Sequence, residues 1–280
     1  MAGTQVLLDG LTFPEGPRWH EGRLWFSDFY SHRVVAVDMN GDAETIVEIP
    51  GQPSGLGWLP DGRLLAVSMT DRKLLRLEHG GLVEHADLSA IATFHCNDMV
   101  VDSEGRAYVG NFGSDYSTGE PLQAAKLARV DPDGGVSVAA EGLMFPNGAV
   151  ITPDGGTLII GETFARCLTA FDHAADGSLS NRRVWANIEP HFPDGICLDA
   201  EGAVWVADPR GNCVVRVAEG GAVLQEISTG DRGAFACMLG GEDRRTLFIC
   251  TAAGSGEVAA AKRSGQIEFV RVDDPHAGWP

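Results

Sequence analysis

Basic residues are scarce in this sequence. The 280 residues carry 21 Lys plus Arg against 39 Asp plus Glu, a formal charge of −18. Nucleic-acid phosphates and anionic membranes are held through Lys and Arg, so the deficit argues against both as partners. No apolar run approaches the ~20 residues of a membrane-spanning helix. The opening Met-Ala-Gly-Thr-Gln lacks the basic-then-apolar pattern of a secretion signal, and the cytoplasm is the expected compartment. The six cysteines (Cys96, Cys167, Cys197, Cys213, Cys237, Cys250) form no CxxC pair, so they read as reduced core residues. There is no Gly-x-Ser-x-Gly elbow and no His-Glu-x-x-His motif. His20, His79, His173 and His276 read as turn or surface residues.

Turn formers are abundant: 36 Gly and 14 Pro, dispersed along the chain. That pattern argues against a helix bundle and for many short strands. A hairpin unit recurs six times. Pro14-Glu-Gly opens the first unit, and Pro53-Ser-Gly the second. Cys96-Asn-Asp, Pro146-Asn-Gly, Pro193-Asp-Gly and a degenerate Ala236-Cys-Met open the others. In each, an apolar strand runs to a tight turn and a second apolar strand returns. The turns hold Glu21-Gly22, Asp61-Gly62, Glu104-Gly105, Asp154-Gly155 and Glu201-Gly202, dipeptides suited to positive φ. The units open 39, 43, 50, 47 and 43 residues apart. Six units of about four antiparallel strands predict an all-β, six-bladed β-propeller spanning 1–280 as one domain. The strand around Gln5–Asp9 is expected to pair with Gln266–Val272 and close the ring. The longest interval contains a polar, Gly-rich stretch over 112–126, a candidate lid.

In a propeller the innermost strand of each blade lines the central channel. Equivalent positions therefore make a ring, here Glu15, Ser54, Asn97, Asn147, Asp194 and Ala236. Glu15, Asn97, Asn147 and Asp194 offer oxygen ligands, two of them carboxylates. An all-oxygen set favours a hard divalent cation, Ca²⁺ first, with Mg²⁺ or Mn²⁺ as alternatives. The second strands end on Asp28, Ser68, Asn111, Glu162, Asp208 and Thr251, polar after apolar runs. Asp28, Asn111, Glu162 and Asp208 are candidates to orient the ligands from behind. Asp61, Asp154 and Glu201 are ordinary turn residues, and Pro-Asn-Gly and Pro-Asp-Gly also have a plain turn reading.

Several of these motifs together resemble one family. They are Phe13-Pro-Glu-Gly-Pro-Arg-Trp, Asn97-Asp98 with Gly105-Arg106, Phe145-Pro-Asn-Gly with Thr152-Pro-Asp-Gly, and Phe192-Pro-Asp-Gly-Ile. The chain resembles the SMP-30/gluconolactonase/regucalcin-like (LRE-like) family over nearly its whole length. The resemblance implies a propeller with one divalent metal in the channel, held by Glu15, Asn147 and Asp194. Asn97 stands beside them as a ligand or substrate contact. It also implies hydrolysis of lactones, commonly sugar lactones, with Asp194 as general base or direct nucleophile. One departure is His95, where sugar-lactone members tend to carry Arg; another is Met99, where they carry Gly. Arg is a fixed-charge fork suited to sugar oxygens, so His95 points to a less polar lactone or ester. Glu120 corresponds to a substrate-contacting lid residue. The expected cofactor is one divalent ion, Ca²⁺ before Mn²⁺, Zn²⁺ or Mg²⁺. The alternatives are organophosphate or fluorophosphate hydrolysis on the same metal, or a non-catalytic calcium-binding propeller.

Overall fold

A computed structural model describes residues 3–119 and 121–278. The strands form six four-stranded antiparallel sheets arranged as a ring of blades. Blade 1 runs Pro14–His20, Arg23–Asp28, Arg33–Val37 and Ala43–Glu48, from the channel outward. The inner strands of blades 2 to 6 are Pro53–Trp58, Cys96–Val101, Pro146–Ile151, Ile196–Leu198 and Gly233–Gly240. Blade 6 takes its outermost strand, Gln5–Leu11, from the start of the chain. That strand pairs with Gly265–Arg271, with Gln5 opposite Phe269 and Leu11 opposite Gly265. The expected closure is therefore observed, and the last blade gains an outer strand from the chain's other end.

Near-continuous apolar runs, such as Leu64–Ser68 and Val204–Asp208, explain why these strands bury both faces. Inner and second strands are apolar on each side and pack against neighbouring blades. The cores accordingly lie in the seams. One joins blades 2 and 3 around Leu65, Val67, Met99 and Val109. Another joins blades 3 and 4 around Tyr108, Leu127, Leu158 and Ile160. The largest spans blades 5, 6 and 1 around Trp205, Phe248 and Phe26. Outermost strands such as Ala43–Glu48 and Val223–Ser228 are largely exposed because they face water.

The opening of the inner strands is distorted in a repeated way. Register shifts fall between Glu15 and Arg18, Pro53 and Leu56, Cys96 and Met99, and Pro146 and Ala149. Such bulges bend a strand and re-aim a side chain. The glycine after the opening residue serves the same place. A Cβ on Gly148 would lie 2.5 Å from the Ile196 nitrogen, and one on Gly195 2.5 Å from the Ala236 Cβ. Adjacent inner strands touch there, so only glycine fits. Pro146-Asn-Gly is thus a strand opening and not a turn, whereas Asp61 and Asp154 cap exposed hairpin tips, Asp154 Oδ1 accepting from the Gly156 N–H at 3.0 Å. His276, expected at the surface, is 7% exposed because the C-terminal segment crosses beneath blade 5, where it bridges Asp199. Among the described residues no helix is long and apolar enough to cross a membrane.

Candidate active site in the channel

The bulges place the predicted opening residues at one end of the channel. Glu15, Ser54, Asn97 and Asn147 are all buried, and Asp194 is half-buried. A hydrogen-bond chain links four blades. Ser54 Oγ donates to Asn97 Oδ1 at 3.3 Å, and Asn97 Nδ2 donates to Asn147 Oδ1 at 2.9 Å. Asn147 Nδ2 donates to Thr163 Oγ1 at 3.2 Å, and that hydroxyl donates to the Pro193 carbonyl at 2.7 Å. The Asn147 amide also lies near enough to the Asp194 carboxylate to lower its pKa, against stronger opposing effects. The structure therefore brings Asn97, Asn147 and Asp194 together, and puts Glu15 within electrostatic reach of Asp194.

The two carboxyls are held well above the usual carboxylate range. For Glu15 the main cause is loss of water on burial, followed by the charges of Asp194 and Asp98; the Gly16 N–H and Arg18 oppose it. For Asp194 the main cause is again burial, with Asp98 and Asp208 adding to it. Among the described residues neither forms an ion pair with Lys or Arg. Asp98 does: Arg18 Nη2 lies 2.9 Å from its Oδ1, and both side chains are buried. Asp98 stands where blades 1, 2, 4 and 5 carry glycine, and Arg18 reaches it from blade 1. With Glu15, Asp98 and Asp194 ionised and Arg18 charged, two negative charges remain, the complement of one divalent cation. Each amide oxygen accepts one hydrogen bond and keeps a second lone pair. The donor set thus fits a hard dication.

The second ring has other partners. Asp28 Oδ1 accepts from the N–H groups of Thr12 at 2.9 Å and Phe13 at 2.8 Å, fixing the segment that delivers Glu15. Glu162 Oε2 accepts from the Met144 N–H at 2.7 Å, just before Asn147. Asp208 Oδ1 accepts from the N–H groups of Arg210 and Gly211, and its Oδ2 lies 2.8 Å from His191 Nδ1. Asn111 donates to the Lys126 carbonyl at 2.7 Å and accepts from the Gly113 N–H at 3.1 Å, tying down the ends of the insertion. Their direct bonds hold loops, not the ligand side chains.

Aromatic rings wall the same end. Phe145, beside Pro146-Asn147, packs on Phe112 at 4.6 Å and on Phe164 at 5.2 Å. Tyr116 packs on Phe145 and Phe164. On the other side Phe13, beside Pro14-Glu15, packs on Phe235 at 4.5 Å and on Phe29 at 5.4 Å. His95 is half-buried and stacks on Phe94 at 4.0 Å. Burial pushes its pKa down, with Arg72 assisting and Asp115 opposing. Tyr116 escaped sequence reasoning because it sits in the one insertion without a repeat partner. It is 45% exposed, so one face of the ring packs on Phe145 and Phe164 and the rest meets solvent. Glu120 lies outside the described residues. A separate group that can hold a metal, His191, Asp208 and Cys213, lies in blade 5 and its entering loop.

Known proteins give this geometry a context. Pentonolactonase XacC of Haloferax volcanii is 31% identical over 269 residues, covering 94% of this chain and 89% of that protein. A 6-deoxy-6-sulfogluconolactonase of Pseudomonas putida is 27% identical, covering 95% and 93%. The crystal structure of a calcium-binding protein, regucalcin, from Agrobacterium tumefaciens superposes with a TM-score of 0.83 at 20% identity, covering 100% and 96%. The model of the SMP-30/Gluconolactonase/LRE-like region matches residues 13–253. With a six-bladed propeller, a match over most of its length and a full-length relative, the chain belongs to the SMP-30/gluconolactonase/LRE-like family.

Proposed function

We propose that this protein is a divalent-metal-dependent lactonase whose site is the channel end formed by Glu15, Asn97, Asn147 and Asp194. One observation carries the reading: a buried and a half-buried carboxyl without cation partners among the described residues stand beside two hydrogen-bonded amides on bulged inner strands. Similarity to a pentonolactonase and a sulfogluconolactonase supports lactone hydrolysis, and similarity to regucalcin, a calcium-binding protein, supports a metal. Glu15, Asn147 and Asp194 would hold the ion, with Asn97 beside it, and Ca²⁺ suits this all-oxygen set best. When bound, such an ion supplies Lewis-acid polarisation of the lactone carbonyl.

The remaining work falls to the chain. Asp194, oriented by the Asn147 amide, takes a proton from the attacking water. The water oxygen bonds to the carbonyl carbon, the ring C–O bond breaks, and the ring oxygen leaves with a proton that Asp194 returns. Direct attack by the Asp194 carboxylate is the competing route. Oxygen-18 incorporation into Asp194 in a single turnover separates the two. Tyr116 and His95 face the substrate from the mouth. His95 with its lowered pKa is a neutral ring, and the aromatic wall offers an apolar face. Both favour a lactone less polar than an aldonolactone.

A pH-stat assay on lactones from aldonolactones to alkyl lactones, with and without EDTA, tests the reading. Chelator-sensitive acid release supports it. Asp194→Ala removes the base and is expected to lower kcat by about 100-fold or more. No release with any metal restored, alongside turnover of an organophosphate, would instead place a different hydrolysis on this site.

A further inference from the structure

Three carboxylates end second strands: Asp28 in blade 1, Glu162 in blade 4 and Asp208 in blade 5. All three are buried, at 0%, 2% and 2% exposure. Burying a carboxylate requires a compensating charge or a full set of donors. Asp28 has Arg33 at 3.4 Å, and Glu162 has Arg182 at 2.9 Å. Asp208 has no Lys or Arg partner among the described residues. In its place stand His191, with Nδ1 at 2.8 Å, and the thiol of Cys213, the residue directly opposite in the sheet. One ligand atom from each of the three residues lies within 4.8 Å of the others.

The backbone leaves room for this group. A Cβ on Gly211 would come 2.5 Å from Asp208 Oδ2 and 3.0 Å from Cys213 Sγ. Any side chain there would fill the space between the two donor atoms. Cys213 is 2% exposed, so solvent reaches the cluster by way of His191, whose side chain is 15% exposed.

We propose that His191, Asp208 and Cys213 form a second metal site, for a thiophilic ion of the Zn²⁺ class. Its nitrogen, sulfur and oxygen donors differ in kind from the all-oxygen channel set. Bond lengths of about 2.0–2.3 Å place donors around zinc roughly 3.5 Å apart, so small side-chain shifts from the observed spacing complete the site. The ion supplies the positive charge that Arg33 gives Asp28 and Arg182 gives Glu162. It also ties the loop carrying His191, three residues before Asp194, to the body of blade 5. The inference does not depend on the lactonase reading.

Cobalt is the probe. Co²⁺ is titrated into the full chain in excess Ca²⁺, and the near-ultraviolet thiolate-to-cobalt charge-transfer band is recorded. The expected result is one equivalent bound with the band present. Cys213→Ser abolishes the band, and Cys167→Ser, at the matching place in blade 4, keeps it. No band, or a band that survives Cys213→Ser, overturns the assignment. Because the buried cysteine variant can misfold, His191→Gln gives an independent reading. Zn²⁺ is expected to raise the melting temperature of the wild type but not of this variant, and an equal rise in both refutes the site.

Discussion

The Arg18–Asp98 ion pair offers the sharpest test of the charge balance beneath the site. Arg18 Nη2 donates to Asp98 Oδ1 at 2.9 Å and to the Met99 carbonyl at 2.5 Å, while Nη1 donates to the Pro17 carbonyl at 2.8 Å. Side-chain exposures of 4% and 7% mean that water cannot replace either partner. Arg18→Met therefore leaves three carboxyls, Glu15, Asp98 and Asp194, without their counter-charge. Removing one member of a buried pair costs about 3–5 kcal/mol, because the other charge stays buried alone. For a chain of this size that is a fall in Tm of roughly 10 °C in EDTA. Asp98→Leu strands the guanidinium and is expected to cost a similar amount. The double variant Arg18→Met/Asp98→Leu removes both charges and is expected to be more stable than either single variant, a coupling that a double-mutant cycle reads directly. Thermal denaturation followed by circular dichroism in chelator gives all four values. Single variants costing below about 1 kcal/mol, or strictly additive costs, would refute the argument.

Other predictions follow from particular contacts. Gly195→Ala puts a Cβ 2.5 Å from the Ala236 Cβ, so urea denaturation is expected to show a loss of at least about 1–3 kcal/mol. Glu15 and Asp194 have raised native pKa values, so the folded metal-free chain binds more protons than the unfolded one. Its stability in EDTA is expected to fall as pH rises from the ordinary carboxylate range through the raised native range. Metal affinity, measured by calorimetry, is expected to rise across the same window as the protons leave; an affinity flat in pH would contradict both shifts. His95→Arg restores a fixed-charge fork at the mouth and is expected to raise kcat/KM for aldonolactones relative to alkyl lactones. An unchanged ratio would remove His95 from the specificity argument.

The fold was legible because one hairpin, with its glycine-bearing turn, recurs six times, and each copy must bury both faces in a seam between blades. The candidate ring of Glu15, Asn97, Asn147 and Asp194 rests on the same reasoning: equivalent positions in a closed ring face one axis. The sequence did not reveal why a glycine follows three of the four proposed oxygen positions and Asp98 the other. That depends on how closely adjacent inner strands touch, and on Arg18 crossing from another blade. Tyr116 was hidden in the insertion, where repeats give no register. The second ring looked like support for the ligands, yet the bonds of Asp28, Glu162 and Asp208 go to loop N–H groups and to Arg33, Arg182 and His191. His191 carried no motif at all, and only the fold sets it against Asp208.

The most direct test of the channel site is a crystal grown with Mn²⁺ and measured at the manganese absorption edge. The account predicts an anomalous peak bounded by the side-chain oxygens of Glu15, Asn147 and Asp194. Density for the ion elsewhere, with none between those three residues, would contradict it.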